Sequence, residues 1–270
     1  MRFAFSAPDR TPAERETLMT GFAAHGYDGL QLKRMQYAEF LGSPDQFRRR
    51  WGDQPGIASG LITGGGLDEA GIADLLAVIR FGAAAGSERV IFCHGQSRRT
   101  VSDDDLVHVS RTLAGIGHQA RELGIQLSLH HHDDQPVMHR SDFDRFFARI
   151  DDGSVALTVD TAHLVKSGIA DIAEVIRAFG PRIDTVHIKD IRDSQFVPLG
   201  EGTIDFTPVF AAISEAAPGA WVCADEESGA DIDAAMASCR QLMASGLNIR
   251  TTGGQPDGRD PVPASQPRSR

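Results

Sequence analysis

IQLSLHHH at residues 125–132, VALTVDTAH at 155–163, TVHIKD at 185–190 and WVCADEE at 221–227 repeat one pattern, a short apolar run that stops on residues able to bind a metal. Each run reads as a buried strand. The polar residues at the C-terminal ends, among them His130, Asp160, His187 and Asp225, then share one rim of a sheet. Side chains from four neighbouring strand ends can converge on a single cation.

Working outward, further strands are expected at residues 2–7, 29–33, 56–62 and 89–94, which makes eight in all. Helical patterns alternate with them. Thr11-Pro12-Ala13-Glu14 reads as a capping box with proline at the first helical position, and Ser102 and Ser141 each precede an acidic first turn. Leu106, Val109, Leu113, Ile116 and Leu123 recur at helical spacing. Eight βα units predict a (β/α)8 TIM barrel over residues 1–249. An open doubly wound sheet is the alternative, but the first strand is not followed by a GxGxxG turn. Gly64-Gly65-Gly66 reads as a loop after the third strand.

Composition sets outer bounds. The chain has 270 residues, 41% of them hydrophobic, enough to bury a full core. A formal net charge of −10 gives no electrostatic support for binding nucleic acid. Cys93, Cys223 and Cys239 are far apart and predict no disulfide framework. With no basic leader followed by an apolar core, and no apolar stretch approaching about 18 residues, the expectation is a soluble cytoplasmic protein that does not enter a membrane. Residues 250–270, rich in Gly, Pro, Ser and Arg, are expected to form a disordered tail.

In a barrel the C-terminal rim carries the chemistry. Strand alternation puts His130 and His132 on one side and His131 on the other. Asp160 reads as a ligand, because a carboxylate buried at a strand end without a cation must shift its pKa or pair. His163 reads as a substrate contact and His94 as a secondary one. His187 and Lys189 share parity, giving a ligand and a cation for a substrate oxygen, while Asp190 of opposite parity is structural. Asp225 and Glu227 share parity and Glu226 faces away. Such a mixed His and carboxylate set suits one divalent ion, Mn²⁺ first, with Co²⁺, Zn²⁺ and Fe²⁺ as alternatives.

The segments LSLHHH, VDTAH, VHIKD, PLGEGTIDF from Pro198 and WVCADEE, in this order, resemble the sugar phosphate isomerase/epimerase group of xylose isomerase-like barrels. Relatives in that group include tagatose 3-epimerase, inosose dehydratase and endonuclease IV. The resemblance implies one metal held by strands five to eight, with His130, Asp160, His187 and Asp225 at the ligand positions. His130 and Asp225 stand where such epimerases have glutamate. The HHH triplet looks like the histidine-rich fifth strand of inosose dehydratase. What the resemblance implies is an isomerase or epimerase that removes a proton beside the carbonyl of a carbohydrate. The alternatives are a lyase removing water from a keto-cyclitol or keto-sugar, and a non-catalytic sugar-binding or partner subunit. Proton transfer falls to Glu227 or His132 with Lys189, substrate contacts to His163, Lys189 and His94, and barrels of this kind commonly pair through rim loops.

Overall fold

In the computed structural model, which describes residues 1–52, 54–150 and 153–247, the apolar runs are strands. They are β1 (Arg2–Ser6), β2 (Gly29–Leu32), β3 (Gly60–Gly65), β4 (Arg89–His94), β5 (Gln126–His130), β6 (Val155–Asp160), β7 (Ile183–Ile188) and, after a small hairpin, β10 (Trp221–Asp225). All eight pair in parallel and close in the order β1-β10-β7-β6-β5-β4-β3-β2. The hairpin consists of β8 (Asp190–Arg192) and β9 (Gln195–Val197), paired antiparallel.

Outward-facing residues such as Phe5, Leu30, Leu61, Phe92, Leu129, Leu157, Val186 and Val222 join one continuous apolar layer. Helices complete that layer, chiefly α1 (Pro12–Gly21), α4 (Glu69–Ala85), α5 (Asp103–Glu122), α8 (Ile172–Phe179), α9 (Phe206–Ala216) and α10 (Ile232–Gly246). Shorter helices are α2 (Arg34–Tyr37), α3 (Pro44–Trp51), α6 (Arg140–Phe147) and α7 (Thr161–Lys166). Thr11 caps α1 and Ser102 caps α5, as their sequences predict. The alternate residues of each strand point inward, so the strand patterns that look apolar throughout place their polar members inside the barrel.

Three local expectations are corrected. The third strand begins at Gly60, not at residue 56, because Gly56 adopts φ +82° and its carbonyl accepts from both Leu30 N–H and Ser59 N–H, making a turn. Gly64 and Gly65 therefore lie within β3 and not in the following loop. The cap of α6 is His139, with Asp142 accepting from its N–H, so Ser141 sits inside the helix. The expected tail lies outside the described residues.

Two sequence motifs prove to be one device. The Asp190 carboxylate at the end of HIKD accepts hydrogen bonds from the backbone N–H groups of Ile191, Gly200, Gly202 and Ile204, at 2.8, 3.1, 2.8 and 3.3 Å. Gly200 and Gly202 come from PLGEGTIDF. A Cβ on Gly202 would overlap that carboxylate and lie 2.7 Å from the Ile191 carbonyl. This cage fixes the segment between β7 and α9, and with it the hairpin that overhangs the rim. Replacing Gly202 by Ala should therefore lower unfolding free energy by about 1–3 kcal/mol, whereas Gly219→Ala, with nothing within 4 Å of its Cβ position, should change it by less than about 0.5 kcal/mol. Urea denaturation of the two variants compares them directly.

Candidate functional site

Parallel pairing sets Asp160 opposite His187 on neighbouring strands, and His130 opposite Thr158 one strand further on. All three side chains are buried, Asp160 at 0% exposure. His130 Nε2 is 3.1 Å from His187 Nδ1, and Asp160 Oδ2 lies 3.7 Å from the former and 3.8 Å from the latter. Ligand atoms sharing a tetrahedral ion with bonds of about 2.0–2.1 Å are separated by roughly 3.3–3.4 Å. The triangle matches that spacing, and these three form a group able to hold a metal ion.

The tautomer of His187 agrees with it. Its Nε2 is 2.7 Å from Gln31 Oε1, so Nε2–H donates to the amide oxygen and the Nδ1 lone pair faces His130 and Asp160. Asp160 Oδ1 accepts the backbone N–H of His163 at 3.0 Å, while Oδ2 has no hydrogen-bond partner among the described residues. Its cationic neighbour is Lys189 Nζ at 3.4 Å, with no hydrogen bond between them, and two imidazoles with one carboxylate are a donor set that fits a divalent ion.

Asp225 is not in that group. Its Oδ2 is 3.7 Å from His187 Nδ1 but 2.6 Å from Lys189 Nζ, and its Oδ1 is 2.8 Å from Lys33 Nζ. Glu227 is gripped in the same way, by Lys33 at 2.6 Å and Lys189 at 2.9 Å. Burial pushes the Asp225 carboxyl up, but Lys189 and Lys33 outweigh it and hold the pKa well below the usual range. Burial likewise opposes the Lys189 ammonium, and Asp160, Asp225 and Glu227 raise its pKa well above the ordinary value. Lys189 Nζ also stands 3.4 Å from Asp160 Oδ2, which ties the lysine pairs to the ligand triangle.

A second cluster sits further out on the rim. The His132 and His163 rings pack at 34° to each other with centroids 3.6 Å apart, and His163 Nδ1 is 2.6 Å from Asp133 Oδ1. Phe196 of β9 covers this side, its ring centroid 5.5 Å from that of His163 and 4.7 Å from Lys189 Nζ. His131 turns outward against Phe143 of α6, as alternation requires. Glu226 also leaves the site, its carboxylate accepting from Ser228 N–H. His94 stands apart: its Nδ1 accepts from Gln96 N–H at 3.1 Å, and it shares a rim cleft with Gly66 and His108.

Gln31, Lys33 and Asp133 are residues at the site that the strand-end pattern does not single out. For Gln31 and Lys33 a signal existed. They alternate in GLQLK, two polar residues of one parity at the end of an otherwise apolar strand. Asp133 lies in a polar loop whose shape no periodicity encodes.

Comparison with known proteins fits this picture. The family model described as xylose isomerase-like TIM barrel matches residues 22–242. The chain is similar to inosose dehydratase of Lacticaseibacillus casei, 31% identical over 145 residues, covering 47% of this chain and 48% of that protein. The chain thus spans about half the length of the curated relatives it matches. Among solved structures it is similar to L-ribulose 3-epimerase, with TM-score 0.74 and 16% identity over 92% of this chain and 95% of that one. It is also similar to the IOLI protein with a binding zinc atom, with TM-score 0.70 and 16% identity over 94% of this chain and 100% of the other. At those identities the structural likeness shows the fold.

The site's imidazoles should make stability fall in acid. Burial holds His94 and His132 down to about 4, His187 to about 3 and His131 well below its ordinary value. His130 is the exception: burial opposes its charge, but Cys93 and Asp160 raise it to about 10, so it is protonated in both folded and unfolded chains in acid. The unfolded chain takes up protons on the four depressed imidazoles near pH 6.5 while the folded chain does not, so their contribution is present above about 6.5 and lost as pH falls toward 4. In chelator-treated protein the urea midpoint should drop steadily between pH 6.5 and 4.5; a flat profile would contradict the neutral, buried assignment.

Proposed function

The chain belongs to the xylose isomerase-like TIM-barrel family, and on that premise we propose that it is a divalent-metal-dependent enzyme that removes a proton beside the carbonyl of a keto-sugar or keto-cyclitol and then expels water. The observation that carries this reading is the buried triangle of His130, Asp160 and His187, with the unbonded Asp160 Oδ2 at its apex. Those three residues would hold the ion, Mn²⁺ or Zn²⁺ being suited to two imidazoles and a carboxylate. When bound there, the ion supplies Lewis-acid polarisation of the substrate carbonyl and its neighbouring hydroxyl.

The chain's own residues do the rest. Lys33 and Lys189 converge on the same mouth and give their remaining N–H donors to substrate oxygens. His132 takes the α-proton: burial keeps it neutral at pH 7 and its side chain is 33% exposed at the rim. Glu227 serves this role less well, because an ammonium already engages each of its oxygens. Lys189, charged and close to the same mouth, supplies the positive field that favours loss of the hydroxyl, and His132 returns the proton it has taken to that oxygen, which leaves as water. Asp225 acts mainly as the anchor of the two lysines.

That balance is why water loss is preferred to epimerisation. Inverting a carbon requires a base on each face, and both carboxylates available for the second face are neutralised. Epimerisation or isomerisation is the second reading, favoured by one observation: Glu227 is 29% exposed at the mouth, so a substrate that draws Lys33 and Lys189 onto its own oxygens would free the carboxylate as a base. A carbohydrate-binding protein without chemistry would bind the same ligands and exchange nothing.

Metal analysis of the purified protein should find about one divalent ion per chain. Asp160→Asn and His187→Ala should each lose it, while Asp225→Asn retains most of it; stoichiometric metal in the first two variants would remove the proposed centre.

Incubation in D₂O with ketoses, inososes and 3-keto-glycosides should place deuterium next to the carbonyl and yield a dehydrated product from at least one substrate. His132→Gln should slow that exchange by about 10²–10⁴-fold, with Glu227→Gln much less affected. Exchange without dehydration would select epimerisation, and no exchange with any compound would leave only the binding role.

A further inference from the structure

His163 is held on every side but one. It follows Asp160 by three residues in the first turn of α7, where its backbone N–H is fixed to Asp160 Oδ1 at 3.0 Å. Its ring lies against His132 and edge-on to Phe196, and the residue is 2% exposed. Nδ1 is 2.6 Å from Asp133 Oδ1, and the other Asp133 oxygen is 3.2 Å from Lys166 Nζ. Nε2 has no hydrogen bond to any described residue.

An ionised carboxylate only accepts hydrogen bonds, so its neighbour on the imidazole must be the protonated nitrogen. The hydrogen bond from His163 holds the Asp133 carboxyl well below the usual carboxylate range, which keeps it ionised at neutral pH. Lys166 fixes the carboxylate from the far side. In the neutral ring the one remaining lone pair is on Nε2, next to the face that His130 presents, since the His130 and His163 rings meet edge to face at 5.7 Å.

We infer that Asp133 is a positioning residue that locks His163 with Nδ1 protonated, so that Nε2 meets the substrate as a hydrogen-bond acceptor and selects a hydroxyl at that position. A phosphate or carboxylate at neutral pH offers no proton there, so the contact favours a neutral polyhydroxy compound over its phosphorylated form. This rests on the carbohydrate reading of the site given above.

The same three residues, His132, Asp133 and His163, could instead hold a second metal ion. Two observations oppose it. The 2.6 Å between His163 Nδ1 and Asp133 Oδ1 is a hydrogen bond and is shorter than the roughly 3.3 Å expected between two atoms ligating one ion. The Lys166 ammonium already occupies the free side of the carboxylate.

The test is the tautomer of His163, read from ¹⁵N shifts in histidine-labelled full-length protein loaded with zinc and assigned with His163→Gln. The wild-type ring should be protonated on Nδ1. In Asp133→Asn, Lys166 draws the amide oxygen and turns the NH₂ toward the ring, so the proton should move to Nε2, the logic known from the serine-protease aspartate. Asp133→Glu, which restores a carboxylate, should keep the wild-type tautomer.

With zinc content unchanged, Asp133→Asn should raise KM for the neutral substrate on the order of tenfold, with a smaller change in kcat. An Nε2-protonated wild-type ring, or shifts that ignore Asp133→Asn, would overturn the inference, as would a second zinc per chain that Asp133→Asn abolishes. If no carbohydrate is bound or turned over, the tautomer result still stands and only the carbohydrate reading fails.

Discussion

A carboxylate at 0% exposure governs the upper half of this barrel. Moving a charge of that kind out of water costs several kcal/mol unless partners surround it, and Asp160 recruits them from three directions. Its own helix gives the N–H of His163, β5 gives the imidazole of His130 and Lys189 gives an ammonium at 3.4 Å. Removing any one of these leaves the charge less compensated. The identities of His130 at the end of β5 and Lys189 just beyond β7 are therefore tied to one side chain at the end of β6.

The lysines form the second tier of that compensation. Two ammoniums and two carboxylates, Lys33, Lys189, Asp225 and Glu227, make a closed ring of four contacts between 2.6 and 2.9 Å. The ring is neutral in sum. Against the pattern with two glutamate ligands that the sequence resembles, His130 removes one carboxylate from the triangle, and an ion bound there would face a single carboxylate, that of Asp160.

The barrel itself was legible from the sequence because strands buried on both faces make short apolar runs; β4 has the expected bounds, and β6 and β10 begin where their runs begin. The third strand was not, because Gly56 looks the same in a strand as in a turn until its φ is known. His130, Asp160 and His187 were legible as a candidate ligand group from parity and position, and the fold brings them together. Asp225 was legible as a site residue, but its lysine partners were not: Lys33 lies 192 residues away in sequence, and only closure of the barrel sets β2 and β10 on either side of β1. Asp133 lies in a loop and Phe196 in a three-residue strand, too short for periodicity to specify direction.

The Asp190 cage separates two kinds of change along the segment that follows β7. Residues 198–204 are bound into it, and Lys189 is next to it, so substitutions there reach the ligand strand. The hairpin tip is outside: Asp193 and Ser194 turn with φ of 50° and 64°, and Phe196 extends from the following strand over the mouth. Natural drift or directed evolution can thus reshape the roof of the site residue by residue while its floor stays in register, which makes this hairpin the place to look when members of the family with the same ligands differ in what they accept.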